Sequence, residues 1–324
     1  MRRLLTVVAM VLSIVPLALA VPRVRDALAP GRDARATEPD RSALPFPAAA
    51  AATVPAPAGP ARPAAAPRAV PVLVYHGVAP SGPARDRWSV SRPQLARQLT
   101  ALRRAGYRTI AAATYVRFLR GETVRLPRRP LLVTFDDGRL DSFRGADAVL
   151  ERVRMRALIF AIVERLADGS PGYLRPSELR AMRASGRWDV GLHAGRGHRL
   201  VRAAGGGRGP FYATREPGES LAEWRSRVAG DLADGARRLA AEVPGARTDL
   251  FAVPYSDFGQ GETGEPALSH ALARMWKRTF AATFVQRDEA RFSRPGRRGF
   301  VDRYEVGRAT TVADLLGWLA RSAR

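Results

Sequence analysis

The chain has 324 residues, with 53 Lys or Arg against 30 Asp or Glu for a formal net charge of +23, and no cysteine. Without cysteine there is no disulfide framework, thiolate metal site, Cys nucleophile or lipoprotein anchor, so any metal must be held by His and carboxylate. Lys277 is the only lysine; arginines are spread over every segment with no recognition-helix, zinc-finger or aromatic RNA-binding pattern, so the charge implies attraction to polyanions such as anionic lipid headgroups or acidic wall polymers, and no nucleic-acid partner is expected.

In chain order, the first feature is the apolar run 4–20 behind Arg2 and Arg3, with Ala18-Leu19-Ala20 as a small-x-small site. It reads as the n-region and h-region of an export signal. Its length is also close to the ~17-residue lower limit of a membrane span, so a cleaved signal peptide and an uncleaved anchor both fit. Residues 21–68 are dominated by Ala, Pro and Arg. Such a segment cannot bury enough apolar area to fold, and it reads as a disordered, semi-extended linker.

From residue 69 to the C-terminus, strand-like runs alternate with helical patterns. Strands are predicted at 70–75, 108–110, 131–135, 157–162, 188–192, 250–253 and 279–284. Helices are predicted at 93–105, 114–119, 142–152, 176–184, 220–241, 266–277 and 312–320. In the first helix Leu95, Leu99 and Leu102 recur at spacings of four and three, and Gly106 stops it. This alternation predicts an α/β fold with a parallel sheet and outer helices, and roughly 250 residues suits one (β/α) barrel.

Active sites of such folds lie at the carboxyl ends of the strands. His76 follows the first run, Asp136 and Asp137 follow 131–135, His193 follows 190–192 with His198 on the next loop, and Pro254 and Tyr255 follow 250–253. Three of the four histidines and an Asp-Asp pair thus stand just past strand ends. Adjacent carboxylates there are costly without a cation. Two His and one carboxylate make a metal site with open positions for water and substrate, and a second carboxylate can take the proton of an acidified water. Consecutive side chains at a strand end point to different sides, which allows Asp136 and Asp137 that division of labour.

Thr134-Phe135-Asp136-Asp137-Gly138, the His193/His198 pair behind Trp188-Asp189-Val190-Gly191, and Phe251-Ala252-Val253-Pro254-Tyr255 together resemble the first three motifs of the polysaccharide deacetylases, carbohydrate esterase family 4. The resemblance implies a distorted (β/α) barrel and a metal-dependent hydrolase that removes acetyl groups from an N-acetylated polysaccharide. It casts Asp136 as general base and Asp137, His193 and His198 as ligands of a divalent metal; zinc suits them, and cobalt, nickel or iron fits the same set. A backbone N–H near Tyr255, in the turn behind Pro254, is the candidate oxyanion donor.

Two positions depart from that pattern. Family members carry an Arg two residues before the Pro of the third motif, where this chain has Ala252; Arg303 and Arg308 are the candidate replacements. Members also carry a catalytic His in a C-terminal strand, whereas the last His here is His270 and the stretch 301–308 has none. Residues 72–78, Val-Leu-Val-Tyr-His-Gly-Val, instead resemble the upstream segment of the poly-β-1,6-N-acetylglucosamine deacetylase branch, whose motif order is circularly permuted, so His76 is the candidate general acid. His270 and the tryptophans Trp188, Trp224, Trp276 and Trp318 read as structural, and the Gly-rich stretch 195–209 as a flexible rim. A non-catalytic glycan-binding descendant and an O-acetyl esterase are the alternative readings.

Overall fold

The computed structural model describes residues 69–322 apart from 167–169, 261–264, 288 and 297–298. The export or anchor segment 1–20 and the linker 21–68 therefore lie outside the described residues. Seven strands run in parallel: β1 (Val72–Tyr75), β5 (Arg129–Phe135), β6 (Ala157–Ile162), β7 (Trp188–Ala194), β10 (Arg247–Ala252), β11 (Ala282–Gln286) and β12 (Phe300–Glu305). Their order β1-β12-β11-β10-β7-β6-β5 closes on itself because β1 also pairs with β5, giving a seven-stranded barrel. Two short strands, β2 (Val78–Ala79) and β3 (Val90–Ser91), pair in parallel outside the barrel. A further strand, β4 (Tyr107–Thr109), pairs with the first half of β5, Tyr107 opposite Arg129, and β1 takes over at Val72 opposite Leu132.

Both faces of the barrel strands are apolar, as expected for a parallel sheet covered on both sides. Alternate side chains of each strand go to opposite layers. Val72, Leu132, Leu158, Phe160, Leu250, Phe284 and Val301 belong to one buried cluster inside the barrel. Leu73, Val133, Ile159, Val190, Phe251 and Val285 pack outward with the helices. The helices are α1 (Arg92–Arg104), α2 (Ala112–Leu119), α3 (Leu140–Arg152), α4 (Pro176–Ala184), α5 (Leu221–Glu242), α6 (Pro266–Thr279) and α7 (Val312–Ser322). α1 starts where Ser91 Oγ accepts from the Gln94 N–H, and it buries Leu95, Leu99 and Leu102. Among the described residues no helix is long and apolar enough to cross a membrane.

Three features differ from the sequence-based expectation. β12 carries Asp302, Arg303 and Glu305 among its six residues, and this polar content hides it from a hydrophobicity pattern. The Gly-rich stretch contains an antiparallel hairpin, β8 (Leu200–Arg202) with β9 (Arg208–Pro210). α6 extends to Thr279, so the strand expected at 279 begins at Ala282. The four tryptophans assigned to the scaffold are buried. His270 lies on α6, at its surface.

Candidate catalytic and metal site

Three neighbouring strands, β12, β1 and β5, bring together Arg303, His76 and Asp136. Tyr75 stands opposite Phe135 in the register, and the Asp136 N–H donates to the Tyr75 carbonyl at 3.0 Å. His76 and Asp136 therefore emerge side by side from adjacent strands, with His76 Nε2 4.0 Å from Asp136 Oδ2. The His76 backbone is pinned by Ser142 Oγ, which donates to its carbonyl at 2.6 Å. His76 Nδ1 is buried with no partner among the described residues.

Asp136 and Arg303 are 1% and 0% exposed. The pair is bidentate: Arg303 Nη1 donates to Oδ1 and Nη2 to Oδ2, each at 2.7 Å. Arg303 also donates to Thr134 Oγ1 at 3.3 Å and Gln286 Oε1 at 3.1 Å. Its guanidinium carbon stands 5.6 Å from the Phe160 ring centre and 5.9 Å from that of Phe284, inside the barrel. Ala252 belongs to the same interior cluster. The guanidinium paired with Asp136 thus enters the interior from β12, while position 252 on β10 is a small apolar side chain. Arg308 does not share this role; its N–H donates to the Arg87 carbonyl and its own carbonyl accepts from Gln94. Burial alone would raise the Asp136 carboxyl, but the Arg303 guanidinium, together with His193 and His76, outweighs it and holds the group below its ordinary range.

Asp137 turns the other way. It adopts φ +72°, a left-handed conformation uncommon for a residue with a Cβ, and Gly138 follows at φ +71°. This reversal carries the carboxylate away from Arg303 and toward two imidazoles. Asp137 Oδ1 lies 3.3 Å from His193 Nε2 and 3.4 Å from His198 Nε2. Ligand atoms of the three residues all fall within 4.8 Å of one another, and this is the group among the described residues that could hold a metal ion. His193 Nδ1 is 2.8 Å from the Ala252 carbonyl; an N–H there leaves Nε2 with a free lone pair, the arrangement a ligating imidazole needs. Burial pushes the His198 imidazole down to about 4, so its ring is neutral at neutral pH. At His193 burial is outweighed by the Asp136 and Asp137 carboxylates, which push the imidazole up, so a bound cation would take the place of a proton there. Two imidazoles and an ionised carboxylate are the donor set of a borderline divalent ion, and the residues fit such an ion.

Tyr255 closes one side of the cleft. Its ring packs on His198 with centroids 4.8 Å apart, and it is the one large hydrophobic side chain exposed among the described residues, at 38%. Tyr255 and Ser256 both have positive φ, 57° and 54°. The turn is held by Ser256 Oγ, which donates to the Gln286 carbonyl at 2.9 Å and accepts from its N–H. Pro254 is buried and opens this short turn. All seven residues selected from the sequence thus converge on one end of the barrel. Gln286 and Thr134 were not among them. Both are uncharged strand residues, and only the course of Arg303 through the interior reveals them.

Comparison with known proteins points to the same kind of domain. Residues 123–262 match the polysaccharide deacetylase family model, a span that includes Asp136, Asp137, His193, His198, Pro254 and Tyr255 and leaves out His76 and Arg303. No curated protein sequence matches significantly. Among solved structures, the fold is similar to a de-N-acetylase from Aggregatibacter actinomycetemcomitans (TM-score 0.65, 18% identity, covering 77% of this chain and 99% of that one). It is similar to IcaB from Ammonifex degensii (TM-score 0.57, 28% identity, 78% and 97% covered), and to the BpsB deacetylase domain from Bordetella bronchiseptica (TM-score 0.53, 20% identity, 73% and 97% covered). With its barrel, its Asp-Asp-Gly strand end and its paired histidines, the chain contains a polysaccharide deacetylase domain and is a hydrolase.

Proposed function

We propose that the protein is a divalent-metal-dependent deacetylase that hydrolyses the acetamide of an N-acetylhexosamine polymer and releases acetate. The observation that carries this reading is the back-to-back arrangement of two carboxylates, Asp136 locked on Arg303 and Asp137 facing His193 and His198. Asp137, His193 and His198 would hold the ion, which when bound acidifies water and polarises the acetyl carbonyl.

Asp136 acts as general base toward the attacking water. The Arg303 fork keeps it ionised and fixes its orientation, so a lone pair is available throughout the neutral range. In this reading His76 protonates the departing sugar amine; its position on the neighbouring strand, 4.0 Å from that carboxylate, supports the role. Tyr255 walls the cleft against His198, and the turn from Pro254 carries the Tyr255 backbone N–H as donor for the developing oxyanion, the Ser256 and Asp257 N–H groups being used within the turn. The likeness of residues 72–78 to the poly-β-1,6-N-acetylglucosamine deacetylase branch, and the 28% identity with IcaB, favour an amide-cleaving role on an envelope or extracellular polymer over an ester-cleaving one. The N-terminal run 4–20 would export the chain and either be removed or tether the domain through the linker; N-terminal sequencing of the protein from membrane and soluble fractions separates the two.

The test is acetate release from β-1,6- and β-1,4-linked N-acetylglucosamine oligomers and from an aryl acetate ester, with bound metal quantified in the same preparations. The reading requires amide hydrolysis that disappears on chelation, returns with Zn²⁺ or Co²⁺, and is lost in Asp136→Asn. Stoichiometric metal with no acetate from any amide would overturn it.

A further inference from the structure

Beyond the residues that face the cleft, one buried-edge carboxylate is tied to the loop joining the two histidines. β7 ends at Ala194, and the loop reaches His198 through Gly195-Arg196-Gly197. Asp231, half-buried on α5, accepts from the Gly195 N–H at 3.2 Å, from the Arg196 N–H at 2.7 Å and from Tyr212 Oη at 2.5 Å. The Gly195 carbonyl accepts from the Glu164 N–H at 2.9 Å, so both peptide groups flanking this residue are fixed.

Steric fit shows that the loop is built onto this support. A Cβ at Gly195 would stand 2.6 Å from the Asp231 carbonyl oxygen, and one at Gly235, a turn further along α5, 2.8 Å from Gly195 Cα. A Cβ at Gly197 would overlap the Tyr212 ring. Tyr212 is itself anchored: its ring meets Phe251 and Trp276 edge-on, with centroids 5.8 and 6.4 Å apart, and its carbonyl accepts from Trp224 Nε1 at 3.0 Å. His193 is positioned independently, by its strand and the Ala252 carbonyl. His198 lies at the far end of the loop, so its distance from His193 follows from the path that Asp231 and Tyr212 impose.

We infer that Asp231, supported by Tyr212, is a positioning residue that sets the His193–His198 separation and thereby the affinity of the site for a divalent ion. This rests on the metal-site reading above. Asp231 touches neither substrate nor ion. Its carboxylate replaces water as the acceptor for two loop N–H groups, so the loop enters the metal-free protein already in its ligating path and little ordering cost falls on binding. Outer supports of ligating groups are typically worth about 10- to 100-fold in metal affinity.

The experiment is chelator competition with Co²⁺ and Zn²⁺ on the intact wild-type, Asp231→Asn and Tyr212→Phe proteins, with the Co²⁺ visible spectrum and the melting temperature of the metal-free forms recorded alongside. In Asp231→Asn the amide NH₂ meets a donor, so one bond of three is lost with little change of volume. Expected are a Kd weaker by about 10- to 100-fold in Asp231→Asn, a smaller loss in Tyr212→Phe, and an altered cobalt spectrum in the former. Acetate release should return toward wild type at saturating metal. Wild-type affinity within twofold and superimposable spectra would overturn the inference, as would a lower melting temperature with unchanged Kd, which marks a merely structural role. If Asp231→Asn does not fold, the Tyr212→Phe affinity decides. A wild-type protein that binds no divalent ion overturns the metal reading and this inference together, whereas tight wild-type binding matched by both variants overturns this inference alone.

Discussion

Replacing Arg303 by Met tests the central ion pair most directly. The substitution keeps an unbranched side chain inside the barrel and removes two 2.7 Å charge-assisted bonds from a carboxylate that is 1% exposed. Removing one partner of such a buried pair costs about 3–5 kcal/mol, because the other charge remains without compensation. For a domain of this size each kcal/mol moves the melting temperature by about 2–4 °C, so a fall of about 6–20 °C is expected at pH 7. The pH dependence has a definite sign. In the wild type the Asp136 carboxyl is held below its unfolded value, so its contribution is present above about pH 4 and is lost as pH falls through the folded value. In the variant the largest force opposing burial is gone, with His193 and His76 still acting the other way, so the folded value rises relative to wild type and the stability gap between the two proteins should narrow on acidification. Asp136→Asn alone leaves the Arg303 charge buried and should also destabilise, while the double variant Asp136→Asn/Arg303→Met should recover most of the loss. Denaturant unfolding of the four proteins at pH 7 and pH 4 measures the cycle. Additive single losses, or a gap that does not narrow at low pH, would refute the pairing as the source of the base's ionisation.

Other expectations follow from the same geometry. His76→Gln should lower kcat by about 10²- to 10⁴-fold, the usual worth of a general acid, while metal content stays at the wild-type level because His76 lies outside the ligand set. Asp137→Asn should instead reduce bound metal as measured by elemental analysis, and added Zn²⁺ should restore activity only at much higher concentration. Gly138→Ala should destabilise the fold by about 1–3 kcal/mol, since the site requires a positive φ, here +71°, and a Cβ would approach Ala161 Cα to 3.2 Å; thermal melts check it. Calorimetry of that variant should show the loss in the metal-free form as well, separating backbone strain from metal binding.

How far this site can be read from sequence depends on whether a residue is announced by its own strand. Asp136, Asp137 and His193 each follow an apolar run, and the strand-end rule for parallel sheets turns that adjacency into a location. His76 obeys the same rule at β1, which is why it can be selected although it falls outside the family-model span of 123–262. Arg303 obeys no such rule. It sits within β12 rather than beyond its end, between Asp302 and Tyr304, and its local sequence is no more distinctive than that of Arg308 five residues on. What separates the two is closure of the barrel: β12 docks on β1 with Leu73 opposite Tyr304, which directs Arg303 inward and lets it meet Asp136 across 167 residues of chain. That register is a product of the whole sheet. Asp231 is hidden for a related reason, since it stands at the edge of the buried stripe of α5, in line with Trp224, Val228 and Gly235, and nothing in that spacing names the loop it meets. Only the flush packing of Gly195 and Gly235 brings the loop close enough for two backbone N–H groups to use it. The residues proposed to react are therefore legible from local pattern, whereas those that pair with and support them come from strands and helices distant in sequence. Ala252 is the local sign of that arrangement: with a methyl at position 252, and Arg247 at the start of β10 paired with Asp249, the buried carboxylate at the end of β5 needs a cation from elsewhere in the barrel wall, and β12 supplies it.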